Sequence, residues 1–236
     1  MRHQVYAHVE KYLVPESHIL ELNAGTGLDA LHFISAGHQV HATDLSDGMI
    51  SQIRSKISKH DHSNRLTCQQ LSFNQLDKIH LKNFDYVFSN FGGLNCEKDL
   101  SLVTRHLPPL LKPNAYLTWV IMPPVCLWEL LWIFKGNWKQ AFRRFNKNGT
   151  LAHLEGEYFK TYYHSLKNIR SALGPSFKLI ESEGLAALSP QPHHKNFPLK
   201  NPGFYRLLRK LDAYFKNTFP FNRWADHIIV TFQYRP

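Results

Sequence analysis

Residues 19–50 read ILELNAGTGLDALHFISAGHQVHATDLSDGMI, and their patterning changes three times. An apolar run at 18–22 has the length of a buried strand. A glycine-bearing turn follows it, then a helical repeat through Ser35, a stop at Gly37, and a second strand at 39–43 that leads into an acid, Asp44. Together these make one βαβ unit. Gly25 and Gly27 let the backbone turn tightly and present N–H groups at a helix start, where a ligand can approach without meeting a Cβ. Asp44 then falls at the carboxyl edge of the neighbouring strand, within reach of both hydroxyls of a ribose.

Two ligand classes suit such a unit. GTGLDA, 25–30, satisfies the G-x-G-x-x-A form of the dinucleotide fingerprint, so an NAD(P)-dependent oxidoreductase binding through Gly25, Gly27, Ala30 and Asp44 is one expectation. Glu21 favours the other. It ends the first strand, where a pyrophosphate would be repelled and the ammonium of S-adenosylmethionine (SAM) would be held. In this pattern the chain resembles the class I SAM-dependent methyltransferases, whose first motif is an acid followed by spaced glycines and whose next strand ends in a second acid. The resemblance implies an α/β, Rossmann-like fold: a doubly wound seven-stranded sheet, mostly parallel, with an antiparallel last strand. It implies SAM as cofactor, with Glu21 at the ammonium, Asn23, Gly25 and Gly27 in the turn, and Asp44 on the ribose. Asn23 stands where the family usually has its first glycine. Leu45 would take the family's apolar contact on the adenine face, and Ser72 with Phe73 the adenine edge, where many relatives carry an acid. FDYVFSNFGGLN, 84–95, resembles the fourth motif and implies that Asn90 and Phe91 lie by the methionine end. It is not the D/N-P-P-Y form found where nucleobase or glutamine amino groups are methylated.

At 236 residues the chain has the size of one domain able to bury its core without metal or disulfide. No apolar run approaches the ~18 residues of a membrane span. The start, MRHQVYAHVEKYL, has no signal-like apolar region, and the family usually carries a further N-terminal segment over the cofactor. Cys68, Cys96 and Cys126 are odd in number and form no C-x-x-C, so a reducing, cytoplasmic setting is expected. His60/His62 and His193/His194 lack companion ligands at useful spacing, so no metal is expected. The net charge of +10 favours anionic partners without choosing among a charged substrate, nucleic acid and an anionic membrane surface.

Along the chain, Val5, Val9, Tyr12 and Leu13 predict a short amphipathic helix, and Ser46 caps another carrying Ile50, Ile53 and Ile57. Strands are expected at 66–70, 84–89, 116–122, 177–183 and 226–233. Leu100, Val103, Leu107 and Leu111 predict a helix disturbed by Pro108-Pro109. Residues 123–165 read as an insertion, a lid or acceptor pocket, within which 125–147 is apolar and then basic. That stretch suits a cover helix, a lid over a hydrophobic acceptor, or an interfacial helix on anionic lipid. Residues 157–164 are aromatic and extended, Ser165 caps a helix at 166–173, and 185–225 is a loop and helix before the last strand, its part 189–203 a proline-rich loop.

Methyl transfer from a sulfonium is an in-line displacement that needs mainly positioning. An oxygen or amine acceptor can still use a base, for which His164 and Tyr163 are the candidates, followed by Tyr162, His153 and Glu157. The expected activity is methyl transfer from SAM to a small hydrophobic or anionic acceptor. An RNA-binding protein, using the basic residues of 135–147 and 195–223, and a SAM-binding protein without turnover are the alternatives.

Overall fold

A computed structural model describes residues 1–60, 64–154, 157–191, 194 and 196–236. Helix α1 (Arg2–Val9) precedes β1 (His18–Leu22), α2 (Leu28–Ser35), β2 (Gln39–Asp44), α3 (Asp47–His60), β3 (Leu66–Gln70) and β4 (Phe84–Ser89). After α4 (Ser101–Thr104) comes β5 (Leu111–Ile121), and the chain closes through α7 (Leu166–Leu173), β8 (Phe177–Leu185) and β9 (His227–Tyr234). Seven strands form one sheet in the order β3-β2-β1-β4-β5-β9-β8. β1 to β5 run parallel, and β9 lies antiparallel between β5 and β8. The order reverses between β1 and β4, which opens a crevice at the carboxyl ends of those strands, where ligands of such sheets bind.

Alternation along the strands supplies two cores. Ile19, Val40, Tyr86, Phe88, Val120 and Ile229 face α1 to α3, while Leu20, Leu22, Val87, Leu117, Trp119 and Val230 face α4 and α7. α1 is fastened by more than its apolar pair Val5 and Val9. A chain of buried polar atoms runs from Tyr86 Oη to Thr118 Oγ1 (2.5 Å), on to Thr231 Oγ1 (2.6 Å) and to His8 Nε2 (2.7 Å). His8 Nδ1 then lies 2.8 Å from Glu183, whose carboxyl also receives Lys11 and Lys216. Burial alone would raise that carboxyl; these cations hold it well below the usual range.

Several expectations are corrected. The helix read from Leu100 to Leu111 is only α4 and a 3₁₀ turn at Pro108–Leu110, because two consecutive prolines remove the N–H donors a helix would need. Leu111 already pairs with Phe84, so β5 starts five residues before position 116 and carries an irregularity with Asn114 at φ 66°. No single helix covers 125–147. It breaks into α5 (Leu127–Leu130), a 3₁₀ turn at Leu131–Lys135, α6 (Trp138–Ala141) and a second 3₁₀ turn at Arg143–Phe145, with Gly136 at φ 70° between them. The extended residues after 156 form a hairpin, β6 (Thr150–Leu154) with β7 (Glu157–Thr161), apart from the main sheet. The proline-rich stretch contains α8 (Asn196–Lys200) and leads directly into α9 (Pro202–Phe215).

The broken segment is held by Arg144. Its buried guanidinium reaches Glu129, the Pro123 and Asp226 carbonyls and the Asp226 carboxylate at 2.7–3.2 Å. Burial would raise Glu129, but Arg143 and Arg144 hold it down at about 2. Replacing Arg144 by Ala leaves two buried carboxylates without their shared partner. We expect a loss of ~3–5 kcal/mol, read as a lower urea midpoint, and a smaller loss for Arg143→Ala, whose side chain is 36% exposed.

Candidate functional site

The turn after β1 meets the loop after β4 at the crevice. Glu21 is 2% exposed, and its Oε2 has no hydrogen-bond partner. Burial pushes this carboxyl well above its ordinary range, and the nearby Asp29 and Asp44 add to the effect while Arg2 opposes it. A cation placed beside this free oxygen would stabilise the charged form that burial disfavours. Asn23, at φ 49°, receives the Ser89 hydroxyl at 2.7 Å and donates to the Asn90 carbonyl at 3.3 Å, so it ties β1 to β4. Its side chain lies against Gly93, where any Cβ would overlap it.

The two glycine amides do not stand open as the sequence suggests. The Gly25 N–H donates to Asp44 Oδ2 at 2.8 Å and the Gly27 N–H to the Ala24 carbonyl at 2.9 Å. Neither is left for a phosphate. With Asp29 and Asp44 beside this turn and both glycine amides already engaged, a pyrophosphate would meet carboxylates instead of donors, which argues against a dinucleotide. Gly27 also has to be glycine, since it lies at φ 75° and an added Cβ would sit 2.9 Å from Ile53 Cγ1. Asp44 Oδ1 takes the Ser46 N–H at 2.9 Å, which fixes the carboxylate beside the exposed face of Leu45.

Ser72 and Phe73 lie one strand over. The Ser72 hydroxyl caps a 3₁₀ helix by accepting the Asn74 N–H at 3.3 Å, and the Phe73 ring packs against the core beneath the sheet. Beside them Asn74 Oδ1 is buried without a partner. Asn90 donates to Asp29 at 2.9 Å and turns its own oxygen onto the Phe91 N–H. Phe91, at φ 44°, holds the Arg2 guanidinium over its ring, while Arg2 and Tyr6 also bond Asp29. Glu21, Asn23, Gly25, Gly27, Asp44, Asn90 and Phe91 therefore converge on one crevice.

His164 and Tyr163 lie in a second group. Its link to the first is Asn95, fully buried, which donates to the Met122 and Tyr162 carbonyls and accepts the Met122 N–H. A cavity of about 350 Å³ opens there, walled by Lys98, Lys147, Tyr162, Tyr163, His164 and Asn168. His164 Nε2 lies 2.8 Å from the Glu97 carbonyl and so must carry its proton, leaving Nδ1 as the acceptor. Burial lowers its pKa, which keeps the ring neutral. The Tyr163 hydroxyl pairs with Thr150 at 3.1 Å. His153 is exposed on β6 against Tyr158, and the side chain of Glu157 lies outside the described residues.

Sequence reasoning missed Asp29, Asn74 and Asn95. Asp29 carried a signal, an acid in the first turn of a helix opening on a ligand loop. Asn95 carried none, since its partners are carbonyls 27 and 67 residues away.

Residues 19–114 match the family model described as methyltransferase domain. No curated protein matches the chain. Among solved structures, a SAM-dependent methyltransferase from Methanosarcina mazei is 15% identical with a TM-score of 0.66, over 98% of each chain. One from Mesorhizobium loti is 16% identical with a TM-score of 0.60, over 97% of this chain and 96% of that one. Phosphoethanolamine N-methyltransferase 2 of Haemonchus contortus, in complex with phosphomonomethylethanolamine and S-adenosylhomocysteine, is 18% identical with a TM-score of 0.62, over 99% of this chain and 52% of that one. At these identities the structural likeness speaks for the fold.

Glu21 generates a linked pair of pH effects. Its carboxyl is raised in the folded state, so without ligand it subtracts stability increasingly as pH rises from ~4.5 through the raised value. An arriving cation pulls the proton off. SAM should therefore bind more tightly as pH rises, with proton release detectable by calorimetry in buffers of different protonation enthalpy. Glu21→Gln should abolish that release and weaken SAM by about 10- to 100-fold.

Proposed function

We propose that this chain is a class I SAM-dependent methyltransferase, with SAM as its cofactor, and that the methyl group goes to a small anionic acceptor held in the cavity beside His164. The observation that carries the proposal is the cavity wall, with Lys98 and Lys147 at its rim and tyrosines and His164 around it. Two ammonium groups without a wall carboxylate recognise a carboxylate or phosphate. The Haemonchus contortus enzyme is in complex with phosphomonomethylethanolamine, a phosphorylated amine, which supports an acceptor of this class.

The cofactor residues present fit SAM. The unpartnered oxygen of Glu21 suits an ammonium, Asp44 the ribose hydroxyls, Leu45 the adenine face, Ser72 and Phe73 the adenine surroundings, and Asn90 with Phe91 the methionine end. When bound, SAM supplies an electrophilic methyl on a sulfonium. The chain's part is then to hold and orient. Asn95 fixes the loop after β4 to the cavity wall, which sets the spacing between the two compartments. Lys98 and Lys147 hold the acceptor's charge, and its nucleophilic oxygen or nitrogen faces His164. His164 Nδ1, neutral at physiological pH, accepts the proton that such a group releases, with Tyr163 beside it.

A thermal-shift titration comes first. SAM and S-adenosylhomocysteine should raise the melting temperature while NADH does not. Transfer of labelled methyl to pools of small carboxylated and phosphorylated amines should then reveal acceptors. Lys98→Ala with Lys147→Ala should raise KM about tenfold or more with SAM affinity unchanged. Turnover on neutral acceptors alone, or a KM indifferent to both lysines, would overturn the anionic assignment.

A further inference from the structure

Two segments that the methyl-transfer site does not use lie together on the surface. One is the broken stretch containing α5 and the 3₁₀ turn at Leu131–Lys135; the other is α8 with α9. They are joined by aromatic contacts, for Trp128 meets Phe197 edge-on at 5.6 Å and Phe197 lies 6.2 Å from Phe204. A small cavity lined by Trp128, Leu131, Trp132, Lys135 and His194 continues the surface across the junction.

This ribbon is apolar where a soluble surface should be polar. Phe134 is 87% exposed and Leu199 80%, with Leu131, Phe204 and Leu207 also exposed. α9 is amphipathic, yet its apolar face is only half covered: Leu208 and Leu211 are partly buried, while Phe204 and Leu207 stand free of the core. Exposed apolar side chains of this size, on two segments joined through Trp128, Phe197 and Phe204, mark an interaction site.

Charge identifies the partner. Lys135, Lys200, Arg206, Arg209 and Lys210 flank the ribbon, the last three lining a groove beside Pro198 and Tyr205. The acids of the two segments, Glu129 and Asp212, are both engaged inward: Glu129 on Arg143 and Arg144, Asp212 on the Leu188 and Ser189 N–H groups. A second copy of the chain would bring the same cations and a net charge of +10 against them. RNA would answer the charge but offers no apolar phase to Leu131, Leu199 and Leu207. We propose that this face docks on an anionic lipid bilayer, its aromatic and leucine tips entering the headgroup boundary and its cations meeting acidic headgroups. Among the described residues no helix is long and apolar enough to cross a membrane, so the contact is peripheral.

The test is co-sedimentation of the full chain with phosphatidylcholine vesicles, with and without about 30 mol% phosphatidylserine. Binding should be at least about tenfold stronger to the acidic vesicles and should weaken with salt. Lys135→Glu, Lys200→Glu and Lys210→Glu should each weaken it about fivefold or more. A combined Phe134→Ser, Leu199→Ser, Phe204→Ser variant should abolish it while keeping the wild-type thermal shift with SAM, which shows an intact fold. No sedimentation with either vesicle would overturn the proposal, as would vesicle binding indifferent to the three serines. So would a dimer in analytical ultracentrifugation that the serine variant dissolves, or salt-steep binding to RNA in place of vesicles.

Discussion

A guanidinium carries five N–H donors, and where water is excluded each needs an acceptor. Arg144 satisfies that demand with groups from three separate parts of the chain: Glu129 in α5, the Pro123 carbonyl just past β5, and Asp226 at the entry to β9. Gln191 closes the cluster by donating to Glu129 and Asp226. Asp226, which burial would raise, is held low by His227, Arg144 and Gln191. Because the Arg144 plane also lies 5.1 Å over the Tyr163 ring, the same ion cluster sets the cavity wall. Cys126, Glu129 and Asp226 group as a metal site would, but Arg144 already supplies the positive charge.

The part of the fold that was legible in the sequence is the part built from local repeats. β1, α2, β3 and β4 appear within a residue of where apolar runs, glycines and caps place them, since each such signal acts within a few positions. The parallel order with an antiparallel last strand was what the resemblance to class I methyltransferases implied. The stretch 125–147 was illegible because its conformation is decided by pairs 14 and 15 residues apart, Glu129 with Arg143 and Arg144, which no periodicity displays. β6 was missed for the same reason, being a short strand whose only partner among the described residues is β7.

At the candidate site the sequence indicated residue types better than their bonding. Glu21 and Asp44 stand at the strand ends that the spacing demands. Nothing in the spacing revealed that Asp44 would take the Gly25 N–H, or that Asp29 would gather Arg2, Tyr6 and Asn90 into one network. That network makes α1 part of the crevice. The polar chain from Tyr86 to Glu183 fastens the other face of the same helix to four strands, so its register on the sheet is set by hydrogen bonds as well as by packing.

The contact between Asn23 and Gly93 reaches beyond this molecule. A side chain at one position occupies the space that a β-carbon at the other would need. With asparagine at 23, a larger residue at 93 would displace the Asn23 amide from its bonds to Ser89 and Asn90, whereas glycine at 23 would leave that space open. The two sites should therefore drift as a correlated pair.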